Sequence, residues 1–198
     1  MAPAGFRLFP AYFDRAAQAA LIATVFEASR AAPFYRPVTP SGQSMSVEMT
    51  NFGPLGWMTD AAGYRYEARH PITGQPWPPI PAVLLTLWAD VTEGGPGPDA
   101  CLVNLYRADA RMGLHQDRDE RDFSHPVVSV SLGDTAIFRI GGTERRAPTR
   151  SFRLASGDVC VLGGDARLTF HGIDRVLAGS SALVPGGGRI NLTLRRAL

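Results

Sequence analysis

After Pro98 the chain abandons helical spacing. It breaks into short apolar or alternating runs, separated by Gly-Asp, Gly-Gly and Ser-Gly turns at intervals of about ten residues. This texture predicts strands over 100–106, 112–117, 127–133, 135–141, 150–154, 158–162, 167–172 and 189–195. Strands this short cannot bury an apolar face alone. A series of them at this interval pairs antiparallel and closes into a double-sheet jelly roll or a barrel.

The first half of the chain reads differently. Ala17, Ala20, Leu21, Thr24, Val25 and Ala28 share one face at helical spacing, which predicts a helix over 14–32, capped by Asp14 and ended by Pro33. A second helix is expected over 82–92, opened by Pro81 and stopped by Gly94-Gly95. Residues 43–51 alternate like a strand, and 56–68 read as a hairpin turning at Asp60–Gly63. The Pro-rich stretch 70–81 reads as a surface loop, and 178–188 as a flexible connection. The expectation is a mainly β (α+β) chain forming one domain, 1–198. In it, 1–98 supplies helices and a lid, and 99–198 supplies the β core.

Four histidines occur among the 198 residues. His70, in the Pro-rich loop, and His125, before Pro126, are expected on the surface. His115 and Asp117 are two residues apart on a strand, so they project from one face. His171 falls on another strand that a barrel can bring opposite. Two imidazoles and one carboxylate hold non-haem Fe(II) on one side and leave the other coordination positions open. No cysteine accompanies them, which argues against a structural zinc site. Cys101 and Cys160 lie in apolar strands and are expected to be buried thiols.

A second polar set lies near the end of the sequence. Arg189, Asn191, Thr193 and Arg195 share one face of a strand, with the arginine α-carbons about 20 Å apart. Turned into a barrel, that face suits the two ends of a small dicarboxylate, with Asn104 and Tyr106 beside it. All 20 basic residues are arginine, a planar fork suited to carboxylate and phosphate. The net charge of only +2 excludes strong indiscriminate nucleic-acid binding. Arg111 and Arg118 flank the His-x-Asp motif and are expected to reach phosphates, with Arg145, Arg146 and Arg150 as a further basic cluster. No apolar run is long enough for a membrane span, and no charged-then-apolar leader opens the sequence, so the chain is expected in the cytoplasm without membrane contact.

Several stretches together resemble the bacterial AlkB dioxygenases. They are Asp99-Ala-Cys-Leu-Val-Asn-Leu-Tyr106, Leu114-His-Gln-Asp-Arg-Asp-Glu120, Val128-Ser-Val-Ser-Leu-Gly133, Phe170-His-Gly172 and Arg189-Ile-Asn-Leu-Thr-Leu-Arg195. Upstream, Met45-Ser-Val-Glu-Met-Thr-Asn-Phe-Gly-Pro-Leu-Gly-Trp57 resembles that family's nucleotide-recognition lid, and the likeness runs over about residues 33–196.

The resemblance implies a double-stranded β-helix with a lid over about 33–80, and Fe(II) held by His115, Asp117 and His171. It implies 2-oxoglutarate and dioxygen as co-substrates. Asn104 and Arg195 would meet the carboxylate beside the metal; Tyr106, Arg189 and Asn191 would meet the distal one. Trp57 would stack on a flipped base with His115 on its other side, Tyr64, Arg65 and Tyr66 would line the groove, Asp119 would face the base's exocyclic amine, and Arg145 would sit at the pocket edge. The implied activity is oxidative demethylation of 1-methyladenine- or 3-methylcytosine-type lesions, releasing succinate, carbon dioxide and formaldehyde. The implied partner is single-stranded DNA, with RNA or a duplex carrying a flipped base as alternatives, met by a monomer. Two rival readings are an oxygenase for RNA, protein or a small molecule, and a metal-binding nucleic-acid module without turnover. One departure is Leu162, which stands before Gly163-Gly164 where the family's best-studied type has an indole.

Overall fold

Asp14 accepts a hydrogen bond from the Ala17 amide at 2.8 Å, satisfying a first-turn donor, and α1 follows over Arg15–Ala28. The computed structural model describes residues 3–92 and 94–198. The helix stops short of Pro33. Ser29 caps it, and the Arg30, Ala31 and Ala32 amides close a loose turn on Glu27 and Ala28. A second helix, α2, runs over Ala82–Val91 behind Pro81. Glu93, just before the predicted Gly-Gly stop, lies outside the described residues. No helix among the described residues is long and apolar enough to cross a membrane.

The strands are β1 (Phe6–Phe9), β2 (Glu48–Phe52), β3 (Gly56–Asp60), β4 (Gly63–Glu67), β5 (Ala100–Tyr106), β6 (Met112–His115), β7 (Val127–Gly133), β8 (Ala136–Ile140), β9 (Arg150–Leu154), β10 (Val159–Leu162), β11 (His171–Val176) and β12 (Arg189–Arg195). They form a six-stranded sheet ordered β1-β10-β7-β12-β5-β2 and a four-stranded sheet ordered β6-β11-β8-β9. The pairings between these named strands are antiparallel, and the two sheets face each other as a jelly roll, the expected double-stranded β-helix. The β3–β4 hairpin turns at Asp60 and Gly63, as its sequence predicts.

Strand alternation sorts the large sheet into two environments. Its outer face, including Val103, Val130, Leu192 and Leu194, packs under the helices on Leu21, Val25, Leu87 and Trp88. Its inner face, including Leu102, Tyr106 and Leu162, meets Phe138, Ile140 and Ile173 of the small sheet. Every residue of β12 is buried, so its polar face lines an interior cavity instead of meeting bulk water.

Several local readings differ from the structure. The strand expected over 167–172 begins only at His171, because Gly164–Ala166 coil into a 3-10 turn whose carbonyls take the Ala166, Arg167 and Thr169 amides in succession with Gly163. The strand expected from residue 43 starts at Glu48, since the earlier residues pair only through one isolated bridge, Val38 with Ser44. The edge strand β1 has no clear periodic signal and forms because β10 offers it an edge. His70 is buried, not exposed: its Nε2 donates to Pro33 O at 2.8 Å, and its Nδ1 accepts from the Ile72 and Thr73 amides. His125 is half-buried against the same region that holds the His-x-Asp segment.

Candidate active site

His115 ends β6 and lies directly opposite His171, the first residue of β11. β6 stops before Asp117, which the following segment presents to the same point. Each Nε2 is 3.7 Å from an Asp117 carboxylate oxygen, and the three donor atoms lie within 4.8 Å of one another. His115 Nδ1 contacts Gly113 O at 2.9 Å, and His171 Nδ1 contacts Thr169 O at 3.0 Å. A carbonyl oxygen only accepts, so each Nδ1 carries the proton and each Nε2 presents its lone pair to the centre. Burial and then the neighbouring His115 pull the His171 pKa down to about 4, so its ring is neutral near pH 7. Burial pushes the Asp117 carboxyl up, but Arg195, His171 and His115 outweigh it and hold it below the ordinary carboxylate range. Two imidazoles and one carboxylate on a common centre fit a divalent metal, and the open cavity beside them fits further ligands.

That cavity, about 470 Å³, runs between the sheets. β12 pairs with β5 so that Arg189 stands opposite Tyr106 and Asn191 opposite Asn104. Arg189 is 1% exposed. Its Nη2 donates to Ser131 Oγ at 2.9 Å and its guanidinium lies 5.2 Å from the Tyr106 ring centroid, but Nε and Nη1 have no partner. Burial lowers its pKa, as expected of a cation with no carboxylate beside it. Arg195 pairs with Asp117 at 2.9 Å, and its Nε lies 3.3 Å from Glu120 Oε1 without the alignment of a hydrogen bond. Arg195 Nη1 and Asn104 Oδ1 are likewise unpartnered. Buried donors left open at two ends of one cavity fit an anion with charge at both ends. Asn191 faces the cavity, yet its amide is committed: Nδ2 donates to Ser129 Oγ and Val130 O, and Oδ1 accepts from Thr193.

At the mouth, Trp57 of β3 lines the cavity and its Nε1 donates to Asp119 Oδ2 at 2.7 Å. Tyr64 of β4 stacks on it, centroids 5.8 Å apart and planes at 23°. Arg118 and Arg145 also reach the wall, with the Arg145 guanidinium 5.7 Å from the Phe170 ring. Leu162 contributes apolar wall. Five residues named from the sequence lie off it, Arg146 and Arg150 among them. Arg65 is held by Asp60 and Glu67 at 2.7 and 2.8 Å, Tyr66 donates to Glu120, and the Arg111 main chain is tied to Ser46.

Sequence reasoning missed the pair that anchors the His-x-Asp segment. Buried Arg167 donates to Asp117 O at 2.6 Å and His125 O at 2.8 Å, and its Nη2 meets Glu120 Oε2 at 3.1 Å. Glu120 stood within a motif and was legible as a candidate. Arg167 carried no local signal, because its partners lie 42 to 50 residues away.

A profile of the 2OG-Fe(II) oxygenase superfamily matches residues 5–195. The chain is similar to an alpha-ketoglutarate-dependent dioxygenase AlkB homolog of Caulobacter vibrioides, at 62% identity over 98% of this chain and 88% of that protein. It is similar to the alpha-ketoglutarate-dependent dioxygenase AlkB of Escherichia coli, at 45% identity over 89% and 83%. Among solved structures, that of OsALKBH1 superimposes with a TM-score of 0.82 at 30% identity, covering 96% of this chain and 97% of the other.

Proposed function

This chain belongs to the AlkB family of the 2OG-Fe(II) oxygenase superfamily, and we propose that it demethylates 1-methyladenine- and 3-methylcytosine-type bases in single-stranded DNA, as a cytoplasmic monomer. It is an Fe(II)- and 2-oxoglutarate-dependent dioxygenase that oxidatively demethylates alkylated nucleic acid. The reaction consumes dioxygen and 2-oxoglutarate, and releases succinate, carbon dioxide and the methyl carbon as formaldehyde.

His115, Asp117 and His171 would hold the ferrous ion, which when bound supplies dioxygen activation coupled to decarboxylation of 2-oxoglutarate. Arg189 takes the co-substrate's distal carboxylate, its open Nε and Nη1 donating while Tyr106 shields the pair from water. Arg195 and Asn104 orient the end beside the metal residues. Asn191 acts one step back, fixing Ser129 and the β7 backbone next to that anchor. The Trp57 ring, braced by Tyr64 and by Asp119, offers a flat apolar face to an extruded base. Cationic methylated rings gain most from such a face, and a lesion that weakens pairing costs less to extrude. Arg118 and Arg145, at the cavity wall, would reach flanking phosphates. Arg65, Tyr66 and Arg111 act indirectly, by holding the hairpin and the strand beside it.

One observation carries the reading: a fully buried guanidinium, Arg189, faces the cavity with no carboxylate paired to it among the described residues. Incubation with Fe(II), ascorbate, 2-oxoglutarate and a methylated oligonucleotide tests it. Formaldehyde released in step with repaired base supports the assignment. Succinate formed only with some other substrate removes the nucleic-acid assignment, and no product under any condition leaves a binding module.

A further inference from the structure

The outer face of the four-stranded sheet, on the far side from the metal residues, carries three arginines with no role in the chemistry above. Cross-strand register sets Arg153 of β9 and Arg175 of β11 on either side of Ile137 of β8. Arg139 lies two residues further along β8, so it leaves the same face. The α-carbons therefore span about 10 Å across the sheet and about 7 Å along it. Arg153 and Arg175 are exposed. The only ion pair at these arginines among the described residues is Arg139 with Asp174, at 3.8 Å and largely exposed. Thr149 Oγ1 also accepts from Arg139 Nε and Nη2, at 3.1 and 2.8 Å. Thr149 belongs to the β8–β9 connection that carries Arg145 to the cavity wall. One loop thus joins this face to the mouth.

Like charges on neighbouring strands of one face oppose folding unless an anion lies over them. A chain with a net charge of only +2 nevertheless gathers three forks here. Guanidinium forks match phosphate oxygens, and the one apolar side chain between them, Ile137, is half-buried and flanked by Arg153 and Arg175. We propose that this face is a second phosphate-binding surface, which holds the nucleic-acid backbone leading away from the base in the cavity. This rests on the reading that the substrate is a nucleic acid. The contacts are to backbone only, so they confer affinity and salt dependence without sequence preference.

The test compares the wild type with an Arg139→Gln, Arg153→Gln, Arg175→Gln triple variant. Affinity is read by fluorescence anisotropy across a salt series on a methylated strand of about 20 nucleotides, and turnover on one of about three. The triple variant is expected to bind the long strand about tenfold more weakly, with a slope of log K against log salt shallower by about 2, from three phosphate contacts. Formaldehyde release from the short strand stays within about twofold, because that strand cannot reach the face. The corresponding triple Arg→Lys variant keeps the slope. An unchanged slope and affinity in the glutamine variant overturns the proposal and leaves the arginines as charges guarding the free edge of β9. If the triple variant does not fold, Arg175→Gln alone, away from that edge, decides by a slope change of about 0.7. A wild type inactive on both strands defeats the demethylase reading instead, while the slope still decides the surface.

Discussion

Arg195 Nη2 lies 2.9 Å from Asp117 Oδ1 with both side chains buried, so one ion pair joins the metal triad to the dicarboxylate cavity. The pair lets the two charges share a dry interior before any ion or co-substrate arrives. Removing the carboxylate breaks both relationships. Asp117→Ala is expected to abolish succinate formation and to weaken ferrous binding by more than about 100-fold, beyond what loss of a supporting contact costs. The metal-free variant stays folded, with Glu120 still facing Arg195, but loses about 3 kcal/mol of stability as a broken buried pair. Metal titration and thermal melts read both effects, and wild-type turnover in this variant would take Asp117 out of the ligand set.

Arg189 invites the opposite expectation for stability. It is a buried cation with open donors and no counter-charge among the described residues. Arg189→Met removes that unpaired charge, so the metal-free protein should melt higher. The same change should raise the KM for 2-oxoglutarate by at least about 30-fold, the lower end of the cost of truncating a buried charged contact. A variant that melts lower and keeps its co-substrate affinity would show that Arg189 is structural.

Trp57 and its stacked neighbour Tyr64 separate binding of the base from the chemistry. Trp57→Ala is expected to lose about 1–3 kcal/mol of oligonucleotide binding, the worth of one stacked base. Succinate formed without substrate should persist at the wild-type rate. Equal loss of both products would make the indole a structural prop, not a recognition surface.

Burial pushes the Cys160 thiol up to about 11 and that of Cys101 up to about 12. Both are free, and neither should react with a thiol-specific disulfide reagent at pH 8 until the chain unfolds. The sign of the linkage follows. The folded values exceed the ordinary thiol value of 9.0, so this contribution to stability is complete below that pH and is lost as pH rises through about 11 and 12. Rapid labelling of native protein at pH 8 would contradict the burial of both side chains.

Much of the site could be read before folding was known, because strand alternation is local. Arg189, Asn191 and Arg195 on one face follow from a period of two residues, whereas Asp117 reaches His115 from the segment after β6 and not from the strand expected over 112–117. The boundaries of β5, β7, β9 and β12 follow equally from apolar or alternating runs ended by turns. The period does not say what a face will meet. A polar strand face is ordinarily wet, and only closure of the two sheets made that of β12 a cavity wall. The hairpin shows the same limit. Its turn was legible, but which of Tyr64, Arg65 and Tyr66 reaches the mouth depends on Asp60, Glu67 and Glu120 competing for their polar atoms.

The sequence by itself determined the residue types that chelate and the strands that carry them, since both depend on neighbours within a few positions. Tertiary structure alone decided that His70 is seated against Pro33 O, that Asn191 is tied to Ser129, and that Arg167 clamps Asp117 from across the fold. Those bonds exist only when segments far apart in the chain are brought together, and their partners leave no periodic trace in the order of residues.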